Sequence, residues 1–153
     1  MAVLADPRSV IGRKLPGFTA VAERGRLAFF ARVIGEDDPV YRDVTAARTA
    51  GFRDIPLPPT FLFSLELERP DPRAILAELG IDMREVLHGE QEFRYHRVAC
   101  AGEELRFEPR IADYYEKKGG ALRFLVRETE VTADGEPVAV LVNTLVARRL
   151  ELS

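Results

Sequence analysis

The sequence predicts an α+β fold in which an antiparallel sheet of about five strands wraps around a central helix. Three observations carry this. Helix-period patterns punctuated by Gly and Pro fill the chain up to about residue 87. Four strand-like segments follow, two of them entered through the hairpin signals Gly119-Gly120 and Asp134-Gly135. The last of these segments is apolar on both faces, which a strand covered on one side only would not be.

The elements follow in order. Gly17 to Ala22 alternates weakly and reads as a short strand. Glu23 to Ile34 sets Leu27, Phe30, Ala31 and Ile34 at helical spacing, and Gly35 closes it as a left-handed cap. Residues 35–39 then form a tight acidic loop. Val44 to Ala50 is a second helix with Gly51 as its C′ residue. Pro56, Pro58 and Pro59 stiffen the entry to an apolar helix over Thr60 to Glu66. Pro70 and Pro72 end that helix, and Arg73 to Leu79 forms another, stopped by Gly80. The strands are expected over Glu90 to Val98, Glu103 to Glu116, Ala121 to Val131 and Pro137 to Arg149. In the last, Val138, Val140, Val142 and Val146 share one face, and Ala139, Leu141, Leu145 and Ala147 the other. A helix covers one face; a second subunit is expected on the other. Strand, helical region and four antiparallel strands is the order of the hot-dog architecture, here as one domain over residues 1–153.

Composition narrows the function. A chain of 153 residues has the length of one ordinary domain. With 46% hydrophobic and 31% charged residues it is expected to fold as a globular protein. The net charge of −3 argues against nucleic-acid binding through bulk charge. The lone cysteine, Cys100, cannot form an internal disulfide and suits a reducing compartment. No apolar run has the roughly 18 residues of a membrane span, and Met1 to Ser9 lacks the pattern of a secretory signal, so a cytoplasmic protein is expected. One cysteine and two histidines, His88 and His96, are too few for a protein-only zinc site without carboxylates, so neither metal nor cofactor is expected. Glycine-rich phosphate loops, GxSxG and HExxH are all missing.

The segment from Phe30 to Tyr41 resembles the hydratase motif of the MaoC-like (R)-specific enoyl-thioester hydratases and dehydratases, Gly-Asp-x-Asn-Pro-(aliphatic)-His after an aromatic-rich helix. Gly35, Pro39 and Val40 match that pattern. Glu36 stands at the family's catalytic Asp, Asp38 at its Asn, and Tyr41 at its catalytic His. The resemblance is stronger to the N-terminal, FAS1-like dehydratase branch, which includes non-catalytic partners of hydratase subunits. That branch shows Gly-Glu-x-(Asn/Asp)-Pro-x-Tyr, then Ala-x-x-x-Gly-(Tyr/Phe), then Pro-Pro-Thr-Phe. These stand here at Gly35 to Tyr41, Ala47 to Phe52, and Pro58 to Phe61. The stretch from His88 to His96 is similar to the branch as well.

The resemblance implies an acyl thioester of CoA or of acyl carrier protein as ligand, with the Thr60 amide as oxyanion donor and Asp38, Pro59, Phe61 and His88 on the substrate. The chemistry calls for two groups: one takes a proton from water as its oxygen attacks C3, and the other delivers a proton to C2. A tyrosine, with a reference pKa of about 10 against about 6.5 for histidine, is a poor base at neutral pH. Glu36 is one methylene longer than aspartate, and a misplacement of about 1 Å can cost about 10²-fold in rate. The expectation is therefore a hydro-lyase-family subunit with an impaired loop at Glu36 and Tyr41. It would form the substrate-binding half of a dimer, with a second copy or with a catalytic hot-dog subunit. Two alternatives stand beside it: an autonomous homodimeric hydratase using Glu36, and a non-enzymatic thioester-binding module. Without the resemblance, Glu36, Asp37 and Asp38 read as a solvated acidic turn, Phe61 to Phe63 as core, and His96 with Arg94 and Arg97 as a solvated face.

Overall fold

A computed structural model describes residues 3–149; both ends of the expected 1–153 domain lie outside the described residues. Five strands form one antiparallel sheet: β1 (Phe18–Val21), β2 (Val86–Tyr95), β3 (Glu104–Lys117), β4 (Leu122–Ala133) and β5 (Glu136–Arg148). Their order across the sheet is β1-β3-β4-β5-β2, so β2 is an edge although it leads the run of long strands. Four helices lie between β1 and β2: α1 (Arg24–Val33), α2 (Val44–Thr49), α3 (Phe61–Glu66) and α4 (Ala74–Glu78). This is the expected hot-dog arrangement. No helix among the described residues is long and apolar enough to cross a membrane.

The helix held deepest is not the longest. In α3, Phe61, Leu62, Leu65 and Glu66 are all buried, whereas the ten residues of α1 bury only Leu27 and Ala31. Ile34, expected on the buried stripe of α1, is exposed together with Phe29 and Val33. It is the C-cap residue, beyond the last regular turn of the helix.

The strands alternate as period two requires. Leu105, Phe107 and Ile111 of β3, and Leu125 and Val131 of β4, point inward. Asp134 and Gly135 take φ of +51° and +80°, the left-handed pair of a two-residue hairpin turn. On β5, Ala139, Leu141 and Ala147 are buried; Val140, Val142 and Val146 on the opposite face are half-buried, but Val138, expected with them, is fully buried and joins the core.

Strand β2 starts at Val86, four residues earlier than expected, and stops at Tyr95, so His96 follows the strand rather than lying on it. The early start depends on Gly89. The register against β5 shifts between His88 and Glu90, leaving Gly89 as the extra residue of a bulge. A Cβ on Gly89 would lie 2.6 Å from Val146 Cγ2, so only glycine fits there. A glycine that reads as punctuation in sequence is here the means of continuing the strand. Arg94 and Arg97, expected on a solvated face, are ion-paired, Arg94 with Glu92 and Arg97 with Glu103.

Two apolar clusters fill the concave side. One gathers Leu27, Leu62, Leu65, Phe107 and Leu141; the other gathers Val10, Leu76, Ile111 and Leu125. Between them runs a polar row, with Gln91 opposite Asn143 on β5 and Asn143 opposite Arg127 on β4. Glu66, at the end of α3, drops into this row. Its Oε1 accepts hydrogen bonds from Arg127 Nε at 3.2 Å and from the Thr129 hydroxyl.

Candidate active site

The acidic loop is built by backbone bonds. Gly35, at φ +73°, donates to the Arg32 carbonyl while Glu36 N–H donates to Ala31 O at 2.8 Å, the paired bonds of a Schellman closure of α1. The Glu36 carboxylate accepts from Asp38 N at 2.9 Å, and Asp38 Oδ1 from Val40 N at 3.0 Å. Asp38 thereby caps a single 3-10 turn over Pro39–Tyr41. Asp43 then caps α2 by accepting from Ala46 N at 2.7 Å. The chain is thus reversed twice within a few residues, which carries Tyr41 back toward the body of the protein.

Tyr41 lines an apolar cavity of about 230 Å³, together with Phe52, Leu57, Pro59, Leu62 and Tyr95. The polar side chains of its wall are two phenols. Tyr95 donates its O–H to the Pro59 carbonyl, and burial pushes its pKa up to about 12. Burial also raises Tyr41, and the Glu36 and Asp38 carboxylates raise it further. Both phenols therefore stay protonated at neutral pH and serve as hydrogen-bond groups rather than bases.

The other predicted residues are distributed around this cavity or away from it. Pro59 is in its wall, and Thr60 is the N-cap position of α3 directly after it. Glu36 and Asp38 sit beside Tyr41 but outside the wall. Phe61 is buried in the core, edge-on to Phe30 at 5.1 Å, with the Arg26 guanidinium 5.6 Å from its ring centroid. His88 belongs to a different cavity. It stacks on Phe63 at 4.8 Å, and its Nε2 lies 2.8 Å from Asn143 Nδ2, which also donates to Gln91 Oε1 at 3.0 Å. His96 donates its backbone N–H to Val138 O and is exposed. Neither histidine of the chain enters the wall that holds Tyr41.

Tyr95 of the wall was not expected from sequence, whereas Leu62 reads in sequence, with Phe61 and Phe63, as core or as acyl-channel wall. Tyr95 follows Phe93 at the strand period, the only sequence signal that it shares Phe93's face. Among the described residues, no group of three or more His, Cys, Asp or Glu could hold a metal ion.

The model of the FAS1-like dehydratase domain region matches residues 9–141. A UPF0336 protein of Saccharopolyspora erythraea is 37% identical over 142 residues, covering 92% of this chain and 90% of its own. Among solved structures, a MaoC-like dehydratase superposes with a TM-score of 0.80 at 20% identity, over 94% of this chain and 43% of that longer one. A chain of the C-terminally truncated HadBC (3R-hydroxyacyl-ACP dehydratase) complex of Mycobacterium tuberculosis superposes with a TM-score of 0.72 at 23% identity, over 90% of this chain and 97% of the other.

Proposed function

Because the chain belongs to the family of FAS1-like dehydratase domains, we propose that it is the substrate-binding half of a hot-dog hydro-lyase. The pair would interconvert (R)-3-hydroxyacyl and trans-2-enoyl thioesters of CoA or acyl carrier protein. Residues 1–153 act as one domain, working in the cytoplasm and without a cofactor. One observation carries the reading: the cavity beside the Gly35–Tyr41 loop has a wall of apolar side chains and two protonated phenols, with no imidazole among them. Such a cavity can hold an acyl chain. It offers no group whose proton affinity lies near neutral pH, as water addition to an enoyl thioester requires.

In this reading Glu36 and Tyr41 occupy the catalytic positions in impaired form. Glu36 already spends a carboxylate oxygen on the Asp38 amide, a structural use that competes with holding a water. The Thr60 amide, at the start of α3, turns toward the thioester oxygen as charge develops there. Pro59 and Phe61 shape the acyl path, Asp38 keeps the loop turned, and His88 contacts the substrate farther along β2. The catalytic Asp and His come from a partner hot-dog subunit. The exposed apolar residues Phe29 and Val33 of α1 and Ile34 at its C-cap support an association, as does the half-buried outer face of β5. The HadBC precedent is itself a complex of two kinds of subunit.

The test is hydration of crotonyl-CoA by the purified chain alone. The expected rate is at least about 10²-fold below that of an intact hydratase assayed alongside it. Turnover comparable to the intact enzyme, abolished by Glu36→Gln, would instead establish an autonomous hydratase. Tight thioester binding with no activity in any combination of subunits would leave a binding module.

A further inference from the structure

The polar row across the inner face borders a second cavity, whose chemistry differs from that of the first. It has a volume of about 230 Å³, with Phe63, Leu76 and Val86 among its apolar walls and His88, Asn143, Arg127 and Arg69 among its polar ones. A neighbouring cavity of about 250 Å³ shares the walls Arg69, Pro72, Arg127 and Leu145, so the two meet at the guanidinium pair. Together they reach the size range of ligand sites, about 300–1,000 Å³.

The charges of the first of these walls do not balance. Arg69 and Arg127 both line it, and no carboxylate does; Asp71 and Glu78, with Arg13 and Lys14, line only the neighbouring cavity. Glu66, which partners Arg127, lies behind the wall and is 1% exposed. Arg69 Nη1 is buried without a hydrogen-bond partner, and so is Asn143 Oδ1 on a side chain that is 1% exposed. Burial and, to a lesser degree, the Arg127 charge lower Arg69 to about 10 against the pull of Glu66, so it remains cationic at neutral pH. A half-buried guanidinium with one buried, unfilled donor, facing apolar walls, calls for an anion that carries an apolar tail. Asn143 can serve the same end. Exchanging its amide oxygen and nitrogen turns N–H donors into the cavity while its oxygen accepts from a protonated His88 Nε2, and from Gln91 once that amide is exchanged as well.

We propose that this cavity binds the carboxylate of an aliphatic ligand, with Arg69 and Arg127 as its charged contacts and the chain lying between Phe63, Leu76 and Val86. The carboxylate belongs either to a free fatty acid or to the distal end of a dicarboxylic acyl thioester. The thioester arm rests on the dehydratase reading given above; the carboxylate site itself rests only on the cavity.

The test is calorimetric titration of the full chain with decanoate, decan-1-ol and the mono-CoA thioester of decanedioic acid. Decanoate is expected to bind at least about 10-fold more tightly than decanol, since only the anion gains charge-assisted bonds. Arg69→Met, which orphans no partner, is expected to lower decanoate affinity about 10-fold and leave decanol unchanged, and Arg69→Lys to restore part of the loss. Binding of decanoate identifies free acids as a source. Binding of the decanedioyl thioester alone, lost in Arg69→Met, identifies the distal carboxylate. Equal affinity for decanol and decanoate, an unaffected Arg69→Met variant, or no binding by either carboxylate overturns the proposal. None of these readouts involves turnover, so failure here and failure of the dehydratase reading are told apart.

Discussion

Replacing Arg127 by methionine is expected to destabilise the protein by about 3–5 kcal/mol, the usual consequence of leaving a buried charge without its partner. Arg127 and Glu66 have side chains that are 6% and 1% exposed, and their contact is a single Nε–Oε1 bond of 3.2 Å. After the substitution the Glu66 carboxylate retains only the Thr129 hydroxyl, and its Oε2 already lacks a partner. Denaturant unfolding measures the loss directly, and a fall in Tm on the order of 10 °C should accompany it. Adding Glu66→Leu to Arg127→Met should recover most of the stability, because two apolar residues of similar bulk remove the orphaned charge. A single-variant loss below about 1 kcal/mol would mean that the polar row is solvated rather than dry. That would also weaken the case for a ligand held by bare guanidinium groups.

The second large effect is a gain. The double substitution Glu36→Asp with Tyr41→His is expected to raise crotonyl-CoA hydration by the chain about 10²–10⁴-fold over the wild type, the contribution of a positioned acid–base group. The loop should tolerate it. Its form comes from the Gly35 closure, the Asp38 cap and Pro39, none of which uses the Tyr41 side chain. An aspartate at position 36 can also accept from the amide two residues on, the bond that Glu36 now makes with Asp38 N. An imidazole at position 41 would stand in the wall beside Pro59, where the phenol is held protonated by burial and by the neighbouring carboxylates. Steady-state kinetics check the rate. If the double variant folds but stays inactive, the loop lacks more than its two side chains, and the cavity it borders is not a hydratase site in reserve.

Some of this is legible before any coordinates. Asp134-Gly135 demands a two-residue turn because both positions take positive φ, and Gly35 ends a helix for the same stereochemical reason. The apolar alternation of β3 determines which face is inward. Other features escape because they depend on the partner strand. Gly89 looks like a strand boundary until Val146 is seen to leave no room for a Cβ. Arg127 and Asn143 face each other across β4 and β5 only once the register is known. Their signal is present: Arg123, Arg127 and Thr129 alternate in step with Leu125 and Val131, so polar residues occupy the apolar face of β4. Counting only apolar positions hides it. The meeting of Tyr41 with Pro59 and Tyr95 is tertiary and was foreshadowed only by resemblance, while the stacking of His88 on Phe63 had no sequence signal.

The central claim is that this chain holds the acyl group while another supplies the acid and base. The most direct measurement mixes it with a hot-dog subunit bearing an intact Gly-Asp-x-Asn-Pro-x-His loop and follows enoyl-thioester hydration. Activity is predicted to survive Glu36→Gln with Tyr41→Phe in this chain and to vanish when the aspartate of the other subunit is changed to asparagine. Loss of activity on changing Glu36 and Tyr41, with the other subunit's aspartate dispensable, would contradict the claim.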